Sequence, residues 1–230
     1  MVKQIVAKHG WLFVGAAAVI GSAYASWLYA PQQSCTREVA ACIAPDEATS
    51  MRDDVRVEIP TKGLPHKGAS DEAAQVTMVE CSDFQCPFSR RAAGSVDELV
   101  AKNDDLAFFH THFPLAQMHP HAELMARASV AAQRQGGFWK MHDALYVAPI
   151  DSEVAAIGLA DRIGLDAGRF SADLRDPAVF REVDRQRKLC RDAGVRGVPT
   201  FFINGRRVVG SLPTDQLQRV IDEERRLVRQ

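Results

Sequence analysis

Cys86 follows a β-prone run, Val76-Thr77-Met78-Val79-Glu80-Cys81, and directly precedes Pro87, a residue suited to the first turn of a helix. A cysteine at such a junction sits where unpaired backbone N–H groups and the helix dipole favour negative charge. The chemistry on offer is therefore nucleophilic attack by a thiolate; the alternative is a buried, inert cysteine. Residues three apart on a helix are neighbours, so a cysteine at position 89 could close a disulfide with Cys86. Ser89 stands there instead. Such a site can attack a disulfide and hold a substrate or glutathione as a mixed disulfide, but it cannot expel that partner by closing its own ring. The Ser89 hydroxyl can still donate a hydrogen bond to the Cys86 thiolate.

The other cysteines depend on compartment. Trp11 to Ala30 is twenty residues without a charge, preceded by Lys3 and Lys8. That is the length that spans a bilayer and the flank that stays cytoplasmic, so residues 1–30 read as a stub and transmembrane anchor with the rest outside. Ala23-Tyr24-Ala25 has the small-x-small form of a signal-peptidase site, so a cleaved signal sequence is the competing expectation, and both imply export. Gln32-Gln33-Ser34 is too polar to make Cys35 a lipidation site. Outside the cytoplasm disulfides persist, and five cysteines leave one thiol over. Cys35 and Cys42 can bridge locally. Cys81 and Cys190 can pair with each other, remain two buried cysteines, or supply a thiol that resolves the Cys86 intermediate.

Composition excludes several classes. The 230 residues are 47% hydrophobic and 25% charged with a net charge of -1, an ordinary globular balance with interspersed signs, so no nucleic-acid partner is expected. The pairs His110/His112 and His119/His121 lack a cysteine or acidic cluster at ligand spacing, and no metal or cofactor is expected. These histidines read as surface or structural groups, and Met118, Met125, Met141, Phe138 and Trp139 as core packing.

The elements that must position Cys86 follow from patterning. Residues 31–55 form a linker, Arg56 to Ile59 alternates like a short edge strand, and Pro60 to Ser70 is a loop. A buried strand over Val76–Cys81, a helix from Pro87 to about Lys102 and a second strand over Leu106–Phe113 make a strand-helix-strand unit. Four or five helices follow between Pro120 and Ala193. Asn204-Gly205 joins Thr200–Ile203 to Arg206–Val209 as a hairpin, and a final helix runs from about Thr214 to Arg229. The layout is a small α/β domain over 56–230 with a helical insertion at about 114–193.

Val79-Glu80-Cys81-Ser82-Asp83-Phe84-Gln85-Cys86-Pro87-Phe88 resembles the active-site segment of DsbA-type thiol-disulfide oxidoreductases of the thioredoxin superfamily, in which a second cysteine normally occupies the place of Ser89. Phe113-Pro114-Leu115, His119-Pro120-His121-Ala122, Phe138-Trp139-Lys140-Met141-His142 and the stretch from Gly194 to Gly205 extend the resemblance, which covers the chain from about Arg56 to its C-terminus. It implies a thioredoxin fold with a helical insertion and a cis Val198-Pro199 bond packed against the nucleophile. It also implies a substrate surface around Pro87, Phe88, Val198, Pro199 and Thr200. Glu80 matches the position of a buried acid used for proton transfer; a partly exposed strand carboxylate is the alternative.

The expected activity is thiol-disulfide exchange of isomerase or reductase type on exported proteins that carry thiols or disulfides, with release by a substrate thiol, glutathione or a redox partner protein. Two alternatives stand beside it: a thioredoxin-fold adaptor or chaperone, and a Cys-to-Ser trapping variant of a two-cysteine oxidoreductase. Cys-Pro-Phe-Ser also resembles the Cys-Gly-Phe-Ser of cluster-binding monothiol glutaredoxins, but the glycine is replaced and the insertion is DsbA-like.

Overall fold

The computed structural model describes residues 56–70 and 72–230. Its centre is a five-stranded sheet in the order β1-β3-β2-β4-β5. The strands are β1 (His66–Gly68), β2 (Val76–Ser82), β3 (Leu106–His112), β4 (Thr200–Ile203) and β5 (Arg206–Val209). Strands β2 and β3 are parallel, from Val76 opposite Leu106 to Ser82 opposite His112, and are joined through helix α1 (Pro87–Lys102). Burial on both faces explains why these two strands read as near-continuous apolar runs. Strand β4 pairs antiparallel with β2, placing Thr200 beside Cys81, and turns into β5 at Asn204-Gly205. That turn needs positive φ at both residues, 45° and 83°, which Asn and Gly adopt at least cost.

The period of two divides the core between the faces of the sheet. Val76, Met78, Leu106, Phe108, Phe201 and Ile203 meet Ala92, Val96 and Leu99 of α1 and Leu217 and Ile221 of helix α7 (Thr214–Val228). Val79, Cys81, Ala107, Phe109 and Phe202 face the other way, towards Cys190 and Val195. Burying each large apolar side chain contributes about 1.5–3 kcal/mol. The insertion is a group of five helices: α2 (Ala122–Gln133), α3 (Phe138–Val147), α4 (Glu153–Arg162), α5 (Ala167–Arg175) and α6 (Pro177–Asp192). The first four enclose a core of their own from Met125, Met141, Leu145, Phe170 and Leu174, into which Phe84 from the loop before α1 inserts, and α6 packs on α2 through Val179 and Val183. Phe84 thus anchors the active-site loop to the insertion.

Three expectations need correction. Arg56–Ile59 is not a strand: Val57 donates one hydrogen bond to the Gly205 carbonyl, and one bond does not make a ladder. The edge strand is β1, inside the expected loop, where His66–Gly68 pairs antiparallel with Phe109–Ala107 of β3. It stops at Gly68 (φ 92°), where a Cβ would strike the Leu106 carbonyl. Met118 is 36% exposed and is not core, unlike Met125 and Met141. The apolar segment Trp11–Ala30, the linker 31–55 and the pair Cys35/Cys42 lie outside the described residues; among the described residues no helix is long and apolar enough to cross a membrane.

Candidate active site

Cys86 is the N-cap residue of α1, with extended backbone (φ -72°, ψ 122°), and Pro87 fills the first helical turn. The loop that delivers it is short because Asp83 closes it on itself: the Asp83 carbonyl accepts the Cys86 N–H at 3.1 Å and the Asp83 carboxylate accepts the Gln85 N–H at 2.8 Å. The latter is an Asx turn, the local bond that aspartate offers two residues ahead of itself. On the opposite side lies the loop before β4. Its Val198-Pro199 bond is cis, and the Cys86 thiol donates to the Val198 carbonyl at 3.6 Å. Thr200, next in line, is buried with its hydroxyl donated to the Gly197 carbonyl at 2.8 Å. Ser89 is also buried, one turn into α1, and its Oγ accepts the Asp83 N–H at 3.5 Å.

Cys86 is the one free cysteine among the described residues, because Cys81 and Cys190 form a disulfide that joins β2 to α6. This removes the expectation that either of them resolves an intermediate on Cys86. Cys86 itself has no exposed surface. It is enclosed with Val198 under Phe88, Phe113 and Leu115, all of which are partly buried. The burial feature of the inert-cysteine alternative is therefore present together with the helix-mouth placement of the reactive one. Pro87 is exposed at the rim, and Phe88 carries the Arg91 guanidinium over its ring at 5.5 Å.

Behind the thiol loop lies a buried polar group. Glu80, 1% exposed, is the buried acid of the two expectations and not the partly exposed one. Burial pushes its carboxyl up to about 7, against the lowering effect of the Ser82 hydrogen bond and the Lys67 charge. Ser82 donates to Glu80 at 3.0 Å and lies 3.1 Å from the Tyr146 hydroxyl, whose own pKa is held well above the usual phenol value by burial and by the Glu80 charge. His110 places Nδ1 3.9 Å from Glu80, and its ring packs against those of His112, His142, Phe84 and Phe138. Burial holds all three histidines below the ordinary imidazole value, His112 at about 3. Of the two expectations for His110 and His112, surface or structural, the structure gives the structural one, and His142 joins them in the core.

Patterning missed Ser82, Asp83, Tyr146 and His142 as parts of this site. Asp83 two residues before Gln85 carried the Asx-turn signal; Tyr146 and His142 are brought in by α3, some sixty residues on, and only His142 stood in a segment that carried the resemblance.

Comparison with known proteins agrees with this geometry. A family model of the DSBA-like thioredoxin domain matches residues 77–222, more than half of the chain. Among solved structures, a thioredoxin-like oxidoreductase from Silicibacter pomeroyi DSS-3 superposes with TM-score 0.63 and 27% identity over 72% of this chain and 94% of that one. Oxidised BdbD from Bacillus subtilis gives TM-score 0.66 at 20% identity, covering 76% of this chain and 99% of its own, a likeness of fold alone. Among curated proteins, the Na(+)/H(+) antiporter NhaA of Herminiimonas arsenicoxydans is 41% identical over 157 residues, which are 67% of this chain and 25% of that protein. NhaA 1 of Salinispora arenicola is 36% identical over 64% of this chain and 23% of its own length. The chain thus spans about a quarter of the length of these curated relatives. With its strand-helix-strand unit, helical insertion and cis-proline loop all accounted for, the chain belongs to the DSBA-like thioredoxin domain family.

Proposed function

We propose that this protein carries out thiol-disulfide exchange outside the cytoplasm through Cys86 alone. The observation that carries this is the placement of the free Cys86 thiol at the mouth of α1, 3.6 Å from the Val198 carbonyl beside the cis proline, with Cys81 and Cys190 tied to each other. A helix mouth supplies backbone N–H groups and a positive dipole end to a developing thiolate. The buried Cys81–Cys190 disulfide supports an oxidising compartment. The apolar run Trp11–Ala30 would provide export or a tether.

The chemistry has two steps. The Cys86 thiolate attacks one sulfur of a protein disulfide, a Cys86–substrate disulfide forms, and the other sulfur leaves as a thiolate that takes up a proton. A second thiol then attacks the mixed disulfide and releases Cys86. If that thiol belongs to the substrate, its disulfide is rearranged with no net redox change; if it is glutathione, Cys86 leaves as a thiolate and a substrate–glutathione disulfide remains, which a second glutathione cleaves to give reduced substrate and glutathione disulfide. Glu80, protonated or ionised near neutral pH, is suited to exchange the proton involved.

The test is refolding of a scrambled disulfide substrate and reduction of insulin by the protein, by Cys86→Ala and by Ser89→Cys. The expected outcome is exchange by the parent, background rates for Cys86→Ala, and a new dithiol oxidase activity in Ser89→Cys. Equal rates for the parent and Cys86→Ala would overturn the proposal. The complete burial of Cys86 favours one second reading, an adaptor that holds exported proteins through the cis-proline loop. An adaptor keeps substrate binding in Cys86→Ala and turns nothing over.

A further inference from the structure

A thiol that exchanges with protein disulfides must meet a sulfur in line with the bond it breaks, yet Cys86 has no exposed surface. What covers it is specific. Val198 is fixed by the sheet through Thr200, and Phe88 belongs to α1, so both are parts of regular elements. Phe113 and Leu115 belong to the segment 113–121 between β3 and α2, which contains no helix or strand. This segment passes from half-buried Phe113 and Leu115 to exposed Ala116, Gln117 and Met118 and returns through half-buried His119.

The segment is fastened to the loop that carries Cys86 by the side chains of that loop. Asp83, 2% exposed, accepts the Leu115 N–H at 2.8 Å and lies 2.8 Å from His119 Nδ1, both through Oδ2. Its other oxygen, Oδ1, is held by Gln85. Gln85 in turn accepts the His121 N–H through Oε1. Elsewhere the segment is held by the Phe113 N–H bond to the Ser82 carbonyl at 2.7 Å and by turns of its own, Met118 and His119 donating to the Leu115 carbonyl at 2.9 Å. These internal turns would move with the segment as one piece. One carboxylate therefore bonds both Leu115, which packs against the Cys86–Val198 pair, and His119, at the far side of the turn.

From this arrangement we infer that residues 113–121 form a gate over Cys86, latched by Asp83, and that substrate engagement requires Leu115 to be displaced. Leu115 packs against the Cys86–Val198 pair, as Phe88 and Phe113 do, and so fills apolar space that a side chain of a bound polypeptide would take. The occupant that replaces it is accordingly a polypeptide segment with an apolar residue close to its cysteine, of the kind an unfolded exported protein exposes. Asp83 is a positioning residue here: it acts through Leu115 and His119, not on sulfur. The substrate class rests on the exchange function proposed above; the gate itself does not.

The gate is read by the rate at which a small alkylating reagent labels Cys86, located by peptide mass mapping in the full chain. Local opening exposes little surface, so the parent should label slowly at a rate that hardly changes with urea below the unfolding transition. Asp83→Ala, which loses the bonds to Leu115 and His119, and Leu115→Ala, which keeps its N–H bond but loses the apolar cover, should each label faster by about tenfold or more. Leu115→Met, which keeps the apolar cover, should label like the parent. If Asp83→Ala fails to fold, Leu115→Ala and His119→Gln carry the test, each required to keep the parent's urea midpoint. Peptides with an apolar residue beside a cysteine disulfide should form mixed disulfides with Cys86 faster than polar ones, and the difference should shrink in Leu115→Ala.

Parent labelling as fast as free cysteine would overturn the gate, as would labelling that rises with urea in step with global unfolding. Leu115→Ala indistinguishable from the parent would also overturn it. A Cys86 that labels readily in Leu115→Ala but exchanges with no disulfide would leave the gate standing and overturn the proposed function instead.

Discussion

A carboxyl group buried in the sheet, with Ser82 as its one close donor, is costly to ionise, and Glu80 is such a group: burial lifts it from 4.5 to about 7. Between these two values the folded protein holds a proton that the unfolded chain has lost. Stability from this residue is therefore complete below pH 4.5 and is lost as pH rises through 7. The loss between pH 5 and pH 8 amounts to about 2 to 3 kcal/mol at 1.36 kcal/mol per unit. Glu80→Gln keeps the shape and removes the titration. Its urea stability relative to the parent should improve by that amount from pH 5 to pH 8, and parallel curves for the two proteins would refute the buried-acid assignment. The same substitution removes the group suited to move the exchange proton, so the rise of Cys86 reactivity with pH should lose any component near 7.

At the scale of elements, the Cys81–Cys190 disulfide joins β2 to α6 across 109 residues of sequence. A loop of that size constrains the unfolded chain strongly, so Cys81→Ala with Cys190→Ala should cost about 3 to 5 kcal/mol in urea unfolding. A cost below about 1 kcal/mol would mean that the covalent tie adds little to the packing around it. This pairing also marks where sequence patterning ends. The strand before Cys86, the helix opened by Pro87 and the Asn204-Gly205 hairpin were legible because each is encoded by neighbouring residues with a local period or turn, whereas the loop at Pro199 was legible through the family resemblance. Strand β1 was not, since three residues at a sheet edge have no room for alternation and take their conformation from β3. The disulfide stayed one option among three because choosing it requires α6 to be laid across the sheet. The enclosure of Cys86 was hidden for the same reason: Leu115 is bonded to the carboxylate of Asp83, thirty-two residues earlier.

Over the whole molecule, the buried polar group behind the active site sets how the protein meets acid. His110, His112 and His142 come from β3 and α3 and are each held below the ordinary imidazole value by burial. For a depressed histidine, stability is present above the unfolded value of about 6.5 and is lost as pH falls, for His112 down to about 3. Glu80 acts in the opposite direction over part of this range, because it already holds its proton in the folded state. At pH 5 unfolding should therefore bind about one proton on His112 and further protons on His110 and His142, and release rather less than one from Glu80, a net uptake. Ordinary carboxylates remain mostly ionised in both states at that pH and add little. Each proton of net uptake lowers stability by about 1.4 kcal/mol per pH unit, against the roughly 5–15 kcal/mol that holds a domain together. The domain should thus be less stable in mild acid than at neutral pH. The check is the slope of urea stability against pH around pH 5, together with the same slope for His112→Gln, which should fall by about one proton. A flat profile between pH 6 and pH 4 would show that the three imidazoles gain protons without unfolding.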